Sequence, residues 1–347
     1  MLTLNNICVL RLSAIGDVCH AIAMVQAIQR AQPLCNITWV IGKVEYNLVK
    51  HLPGIQFVVY DKKQGKVARQ HVQRTLAKYV FDALLIMQVA LRANWLSRVI
   101  KAKRRIGFDW HRSKEGHWCF CNERVYARQH AHVLEGFMDF ADRLLQRDPT
   151  PIKASWNMHL ASADLDWAAD QLPCDTPYAV ISPAASKAER NWTVEGYAAA
   201  ADHLRARGIA PVLCGGPSDL DRQLADAIKQ HTKNIQLDLV GQTSLTQMLA
   251  VLSRAVLVIA PDTGPAHMAT TVGTPVIGLY AHSNPRRTGP YQSMNWVVNH
   301  YDQCILEQTG KPWDALPWGV RAKGQDLMQR IQAEEVIQKI DQLLQGD

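Results

Sequence analysis

Short apolar runs alternate with longer stretches of helical period along most of the chain, the pattern of parallel strands joined by crossover helices. In the first half, "ICVLRL" (7–12), "NITWVI" (36–41), "IQFVVY" (55–60) and "DALLIMQ" (82–88) predict strands, and roughly 17–31, 64–79, 91–100 and 131–146 predict helices. Residues 147–177 carry prolines near both ends and predict a connection with one short helix. A second alternation follows, with strands at 178–182, 209–214, 236–240, 256–260 and 275–280 and helices at 194–207, 218–231, 244–254 and 265–272. Residues 281–324, rich in Pro, Gly, Trp and Arg, predict irregular structure. The segment 332–345 predicts a closing helix with Val336, Ile340 and Leu343/Leu344 on its apolar side.

The expectation is an α/β protein of two doubly wound parallel-sheet domains, 1–170 and 171–347, facing across a cleft, with the last helix packing within the second domain or back on the first. A chain of 347 residues exceeds the size at which one core keeps growing, which agrees with two domains. With 48% hydrophobic and 20% charged residues it is too apolar to be disordered. No apolar run approaches the ~20 residues of a bilayer span, and the first run is strand-like instead of a signal peptide, so a cytoplasmic protein is expected. The eight cysteines (Cys8, Cys19, Cys35, Cys119, Cys121, Cys174, Cys214, Cys304) are scattered, and the pair Cys119 and Cys121 has neither zinc-site nor redox spacing, which predicts reduced thiols and no metal.

Charge changes the picture more than composition does. Residues 1–150 hold 22 Lys and Arg against 11 Asp and Glu, a balance of +11, whereas residues 151–347 hold 16 against 20, a balance of −4. The first half is therefore expected to meet something anionic: nucleic acid, a membrane surface or a phosphorylated substrate. Nucleic acid is disfavoured, because no recognisable module is present and aromatic residues do not interleave with the basic runs.

In open α/β sheets ligands sit beyond the carboxyl ends of the strands, and three such strand ends carry chemistry. In "LVIAPDTGPAHMATTVGTPVIGLY" (257–280), a strand runs into Asp262-Thr263-Gly264 and Pro265 opens a helix with His267 near its first turn. The free N–H groups of that turn, the Thr263 hydroxyl and His267 suit phosphate oxygens, with Gly264 allowing close approach. Asp262 would repel phosphate and so points to something neutral with hydroxyls; a sugar on a diphosphate fits all four residues. In "RLSAIGDVCHA" (11–21), Asp17 follows the first strand and can take a proton from an attacking alcohol, or simply cap the helix. This turn is not a dinucleotide fingerprint, which argues against NAD. In "SPAASKAERNWTVEGY" (182–197), Lys187 and Arg190 follow the strand end and can neutralise a leaving diphosphate, and Thr193 predicts an N-cap.

These stretches, with "LCGGPSD" (213–219), "GFDW" (107–110) and "QHAHVLEGF" (129–137), resemble the lipopolysaccharide heptosyltransferase family of GT-B glycosyltransferases, in order over nearly the whole chain. The resemblance implies inverting transfer of a heptose from ADP-heptose to the inner core of lipid A, at the inner face of the inner membrane, without metal or other cofactor. It implies Asp17 as general base, Asp262 on heptose hydroxyls, and Thr263, Gly264 and His267 on the diphosphate. Ser186 matches a hydroxyl contact to the donor, and Asp219 an acid near the nucleoside. Relatives place a lysine two residues before the tryptophan, where this chain has Arg190, so Lys187 and Arg190 are both candidates for the diphosphate. The basic residues expected to hold the phosphorylated acceptor are Lys62, Lys63, Lys66, Arg104, Arg105 and Arg112. Another GT-B transferase using a different nucleotide sugar in envelope polysaccharide synthesis is the alternative.

Overall fold

The protein was analysed as a computed structural model that describes residues 4–149, 154–172 and 176–346. The chain divides into two compact units, Met1–His159 and Leu160–Asp347. Cys174 lies outside the described residues. The other seven cysteines are free thiols, five of them buried in apolar surroundings.

The first unit runs β1 (Asn6–Leu10), α1 (Ile15–Ala31), β2 (Asn36–Gly42), α2 (Lys43–Val49), β3 (Ile55–Tyr60), α3 (Lys66–Leu76), β4 (Phe81–Ile86), α4 (Leu91–Ser97), β5 (Ala102–Gly107), β6 (Glu123–Arg124) and α5 (Val133–Leu144). All six strands are parallel, in the order β3-β2-β1-β4-β5-β6. Strands β1, β2 and β4 read as nearly unbroken apolar runs because helices cover both faces of the sheet. Strand β5, "AKRRIG", escapes the sequence reading because charge interrupts it. Its cations are held by neighbours: Lys103 pairs with Asp82, and Arg104 forks onto Glu123 while donating to the carbonyls of Leu144 and Arg143.

The second unit runs α6 (Ser162–Gln171), β7 (Tyr178–Ile181), α7 (Val194–Ala206), β8 (Ala210–Leu213), α8 (Asp219–His231), β9 (Leu237–Asp238), α9 (Leu245–Arg254), β10 (Leu257–Pro261), α10 (Gly264–Thr271), β11 (Val276–Tyr280), α11 (Pro285–Thr288), β12 (Val298–Asn299), α12 (Tyr301–Thr309) and α13 (Ala333–Gln345). Its sheet is again all parallel, in the order β12-β11-β10-β7-β8-β9. The predicted Thr193 cap is present, its hydroxyl accepting from the Gly196 N–H at 3.1 Å.

The structure moves two expectations. Helix α6 packs on α9, so residues 160–170 go with the second unit and the division falls at 159/160 instead of 170/171. Helix α13 packs on α7, β11 and β12 of its own unit, with Val336 and Ile340 fully buried in that core. The stretch 281–324 also holds more order than its composition suggests, including α12, which Gly310 terminates in a left-handed conformation at φ +67°.

Both sheets share one topology. In each, the chain winds outward from an inner strand, then returns to that strand's other side and winds the opposite way. The crevice at the carboxyl ends of the two inner strands is where such sheets bind ligands. In the first unit those strands are β1 and β4; in the second they are β7 and β10.

Candidate functional site

The β7/β10 strand ends of the second unit gather Asp262, Thr263 and His267 at one corner. Strand β10 ends at Pro261, and Thr263 is the N-cap of α10 with Pro265 in the first turn. The Asp262 side chain is 13% exposed; its carboxylate lies 3.6 Å from His267 Nε2 and 3.7 Å from Arg190 Nη1, and accepts from Thr288 Oγ1 at 3.3 Å. Arg190 also donates to the Asp262 carbonyl at 3.3 Å. Burial alone would favour the neutral acid, but His267 and Arg190 outweigh it and hold the Asp262 carboxyl below the usual carboxylate range. The group is a fixed anion with acceptor capacity left over.

Several buried polar atoms around that carboxylate have no hydrogen-bond partner among the described residues. They are Thr263 Oγ1, Ser182 Oγ at the end of β7, and both ring nitrogens of His282 just beyond β11, while the Ser283 hydroxyl helps hold the Asp262 carboxylate. His282 Nε2 lies 3.3 Å from Glu189 Oε1 without making a hydrogen bond. Thr263 is also a helix cap whose hydroxyl does not cap. Buried polar groups in folded proteins are normally satisfied, so this concentration marks a place completed by a ligand rich in acceptors and hydroxyls. The uncapped first-turn amides of α10 add an anion-binding pole.

The remaining donor candidates separate. Arg190 belongs to this corner, whereas Lys187 is exposed and lies 3.6 Å from Glu189, and Ser186 is exposed on the same turn. Asp219 is exposed in the first turn of α8. Its neighbour Asp221 folds back instead, accepting from Gly216 N–H at 2.8 Å and from the Ser218 hydroxyl, and so shapes the Gly215-Gly216 turn after β8.

In the first unit Asp17 stands in the opening turn of α1, at the β1/β4 switch point. Its carboxylate accepts from Ala14 N–H at 3.2 Å and is ion-paired with Arg11. Arg11 is itself fixed, donating to the Met87 carbonyl and lying 5.1 Å over the Phe137 ring. The Asp17 side chain remains 33% exposed, oriented from behind and open in front.

Beside this turn lies a cavity of about 710 Å³ at the carboxyl ends of β1, β2, β3 and β4. Ser13 and Gln88 form one wall, with Gln88 bonded to Leu12 N–H at 2.9 Å and to the Ser13 hydroxyl at 3.4 Å; Lys43, Lys62, Lys63 and Arg92 contribute the cations. Gly42 is required at its edge, since a Cβ there would stand 2.3 Å from the Leu12 carbonyl oxygen. Lys62 and Lys63 thus line this cavity, which also holds Glu45, Glu115 and Asp61, the last paired with Lys43 at 3.2 Å.

Arg105 and Arg112 do not. Arg105 donates to the carbonyls of Phe120, Ile100 and Ser97 and to the Ser97 hydroxyl, at 2.8 to 3.0 Å. Arg112 is bound by Asp109, Asp139 and the Tyr126 carbonyl. Arg104 is taken up in the same way. Both members of the predicted pair hold the fold together, because a guanidinium that meets several carbonyls and carboxylates of its own chain is no longer available to an external anion. Among the described residues no group of three or more His, Cys, Asp or Glu could hold a metal ion.

Sequence reasoning misses Ser182, His282, Ser283, Arg11 and Gln88. The signal was present: each lies at or just beyond the carboxyl end of an apolar strand, as Asp17 and Asp262 do.

Two doubly wound parallel sheets give the chain the architecture of a GT-B glycosyltransferase. The sequence model of glycosyltransferase family 9 (heptosyltransferase) matches residues 69–311, and the chain belongs to that family. The lipopolysaccharide core heptosyltransferase OpsX of Haemophilus influenzae is 41% identical over 339 residues, covering 98% of this chain and 97% of its own. Among solved structures, a family 9 glycosyl transferase from Veillonella parvula superposes with a TM-score of 0.80 at 22% identity, covering 100% of this chain and 99% of its own. The E. coli heptosyltransferase WaaC with ADP superposes with a TM-score of 0.76 at 18% identity, covering 97% and 99%.

Proposed function

We propose that the protein transfers a heptose from ADP-L-glycero-D-manno-heptose to a Kdo or heptose residue of the lipopolysaccharide inner core, with inversion. The observation that carries this reading is the Asp262 corner: a fixed carboxylate for sugar hydroxyls, held by His267 and Arg190, with the buried Thr263 hydroxyl beside it making no hydrogen bond among the described residues. The adenosine diphosphate follows from WaaC, which binds ADP, and the lipopolysaccharide acceptor from OpsX at 41% identity.

In this mechanism the acceptor hydroxyl oxygen attacks the anomeric carbon of the donor while Asp17 takes its proton. The bond from that carbon to the diphosphate oxygen breaks, and its electron pair leaves with ADP. The α10 N-terminus, Gly264, Thr263, His267 and Arg190 receive the developing charge, and Asp262 orients the heptose through its hydroxyls. Ser186 and Asp219 contact the donor from the turns after β7 and β8, and Arg190 is the cation on the diphosphate in place of Lys187. Lys62 and Lys63, together with Lys43 and Arg92, hold anionic groups of the acceptor. That acceptor is lipid-borne, so the enzyme works at the cytoplasmic face of the inner membrane.

The direct test incubates the purified protein with ADP-heptose and a set of truncated lipid A cores and weighs the products. Gain of one heptose residue on a core, with inverted anomeric configuration by NMR, is the expected result. Calorimetry with ADP, UDP and GDP identifies the donor; tight binding of UDP or GDP in place of ADP would overturn the assignment.

A further inference from the structure

The first unit carries an exposed aromatic strip that neither the fold nor the reaction uses. Leu91 (49% exposed) and Trp95 (49%) lie on one face of α4, four residues apart. The short helix His117–Phe120 packs on α4, and there Trp95 stands edge-on to Phe120 at 5.8 Å. Trp118 (47%) projects from the same short helix and meets Trp110 (58%) at 5.5 Å. Other large exposed apolar residues, such as Leu34, Val67, Val80 and Leu306, belong to different elements, so this group of four is a patch and not a scatter.

Cations frame the strip. Arg98 lies over the rings of Trp95 and Phe120 at 5.6 and 5.2 Å, Arg124 lies over Trp110 at 4.2 Å, and Arg92 and Lys114 are exposed beside them. Glu115, an anion beside the strip, accepts from the Leu91 backbone N–H. Tryptophan flanked by arginine and lysine is the composition that settles at the headgroup level of a bilayer, the ring replacing interfacial water while the cation meets anionic lipid. The cations Arg92, Arg98, Lys114 and Arg124 make the strip's charge complementarity one to an anionic surface. The strip is also continuous with the cavity lined by Lys62 and Lys63, because Leu91 and Arg92 line both.

We infer that the α4 and 117–120 strip docks on an anionic bilayer and presents the adjoining cavity to a lipid-anchored acceptor. The inference rests on the acceptor reading above and supplies it with a surface.

The test measures sedimentation of the full-length protein with vesicles of phosphatidylethanolamine and phosphatidylglycerol, and with vesicles of phosphatidylcholine alone. The Trp95→Gln/Trp118→Gln double variant should lose about tenfold or more in partitioning to the anionic vesicles, from the interfacial area of two rings. Trp118→Phe, which keeps an aromatic ring, should retain most of it, and phosphatidylcholine vesicles should hold the wild type less well. All variants should melt like the wild type and transfer heptose to a deacylated, water-soluble acceptor at the wild-type rate. Equal partitioning of the double variant and the wild type overturns the inference, as does equal binding of the wild type to both kinds of vesicle. Self-association of the wild type that the substitutions abolish, without vesicle binding, also overturns it and assigns the strip to a second copy. Failure of the wild type to act on any soluble acceptor would count against the transferase reading and leave the vesicle result standing on its own.

Discussion

Two clusters, one in each unit, bury polar side chains on opposite terms. In the first, His117 is fully buried yet saturated: Phe108 N–H donates to its Nε2 at 3.2 Å, and its Nδ1 meets Asn94 Oδ1 at 2.7 Å. Arg105, close by, is bound to three carbonyls and a hydroxyl. In the second, the Thr263 and Ser182 hydroxyls at the β10 and β7 strand ends are buried without a hydrogen-bond partner among the described residues. A closed network specifies a fold, while an open one is completed by something outside the chain. Substitutions should therefore cost stability in one unit and donor binding in the other.

The largest stability effect is expected at Arg105. Arg105→Ala removes the side-chain donor to the Ile100 and Phe120 carbonyls and to the Ser97 carbonyl and hydroxyl, and should destabilise the protein by about 3 kcal/mol in denaturant titration. Its KM for the acceptor should stay near the wild-type value; a rise in acceptor KM without loss of stability would return Arg105 to the binding site.

His117 gives the pH form of the same contrast. Burial lowers its pKa from 6.5 to about 4, so the fold holds the neutral ring. The unfolded chain takes up the proton first as pH falls. The stabilisation is thus complete above about pH 6.5 and is lost as pH falls towards 4, amounting to about 3 kcal/mol. Stability measured across that window should lose this component in His117→Gln, whose side chain does not titrate; an identical pH slope in the variant would assign the slope elsewhere.

In the open corner the readout changes. Arg190→Ala should weaken donor binding by about a hundredfold, whereas Lys187→Ala should change it by less than about threefold, because the first cation stands beside Asp262 and the second is exposed with Glu189 as its neighbour. Calorimetry with ADP-heptose separates them, and the reverse ranking would move the phosphate contact to Lys187. Thr263→Val is the mildest and most discriminating change. It removes an unpartnered buried hydroxyl, so stability should hold or rise slightly while donor affinity falls by about tenfold. Loss of stability instead would mean that the hydroxyl already has a partner within the protein.

Much of this contrast was written in the sequence, and unevenly. Buried parallel strands such as "LVIAP" and "VIGLY" announce themselves by unbroken apolarity, and the residues just past them, Asp262 and Thr263, are placed by that fact alone. Ser182 and His282 also follow strand ends, but their convergence on this corner depends on β7 and β11 flanking β10, an order no single sequence prints. Strand β5 was lost because "AKRRIG" spends its inner positions on charge satisfied by carbonyls and carboxylates. The same ambiguity made Arg105 and Lys63 look alike. Both are cations in a basic half, and tertiary surroundings alone distinguish the one turned into the fold from the one lining a cavity.

In the proposed division of labour Asp17 moves a proton and does not hold the donor, while the Asp262 corner holds the donor. Asp17→Asn, which keeps size and most hydrogen bonding, tests it when donor affinity and single-turnover transfer are measured on the same preparation. Transfer should slow by about a thousandfold with the ADP-heptose Kd within about twofold of wild type. Transfer at the wild-type rate, or a loss of donor affinity as large as the loss of rate, would contradict it.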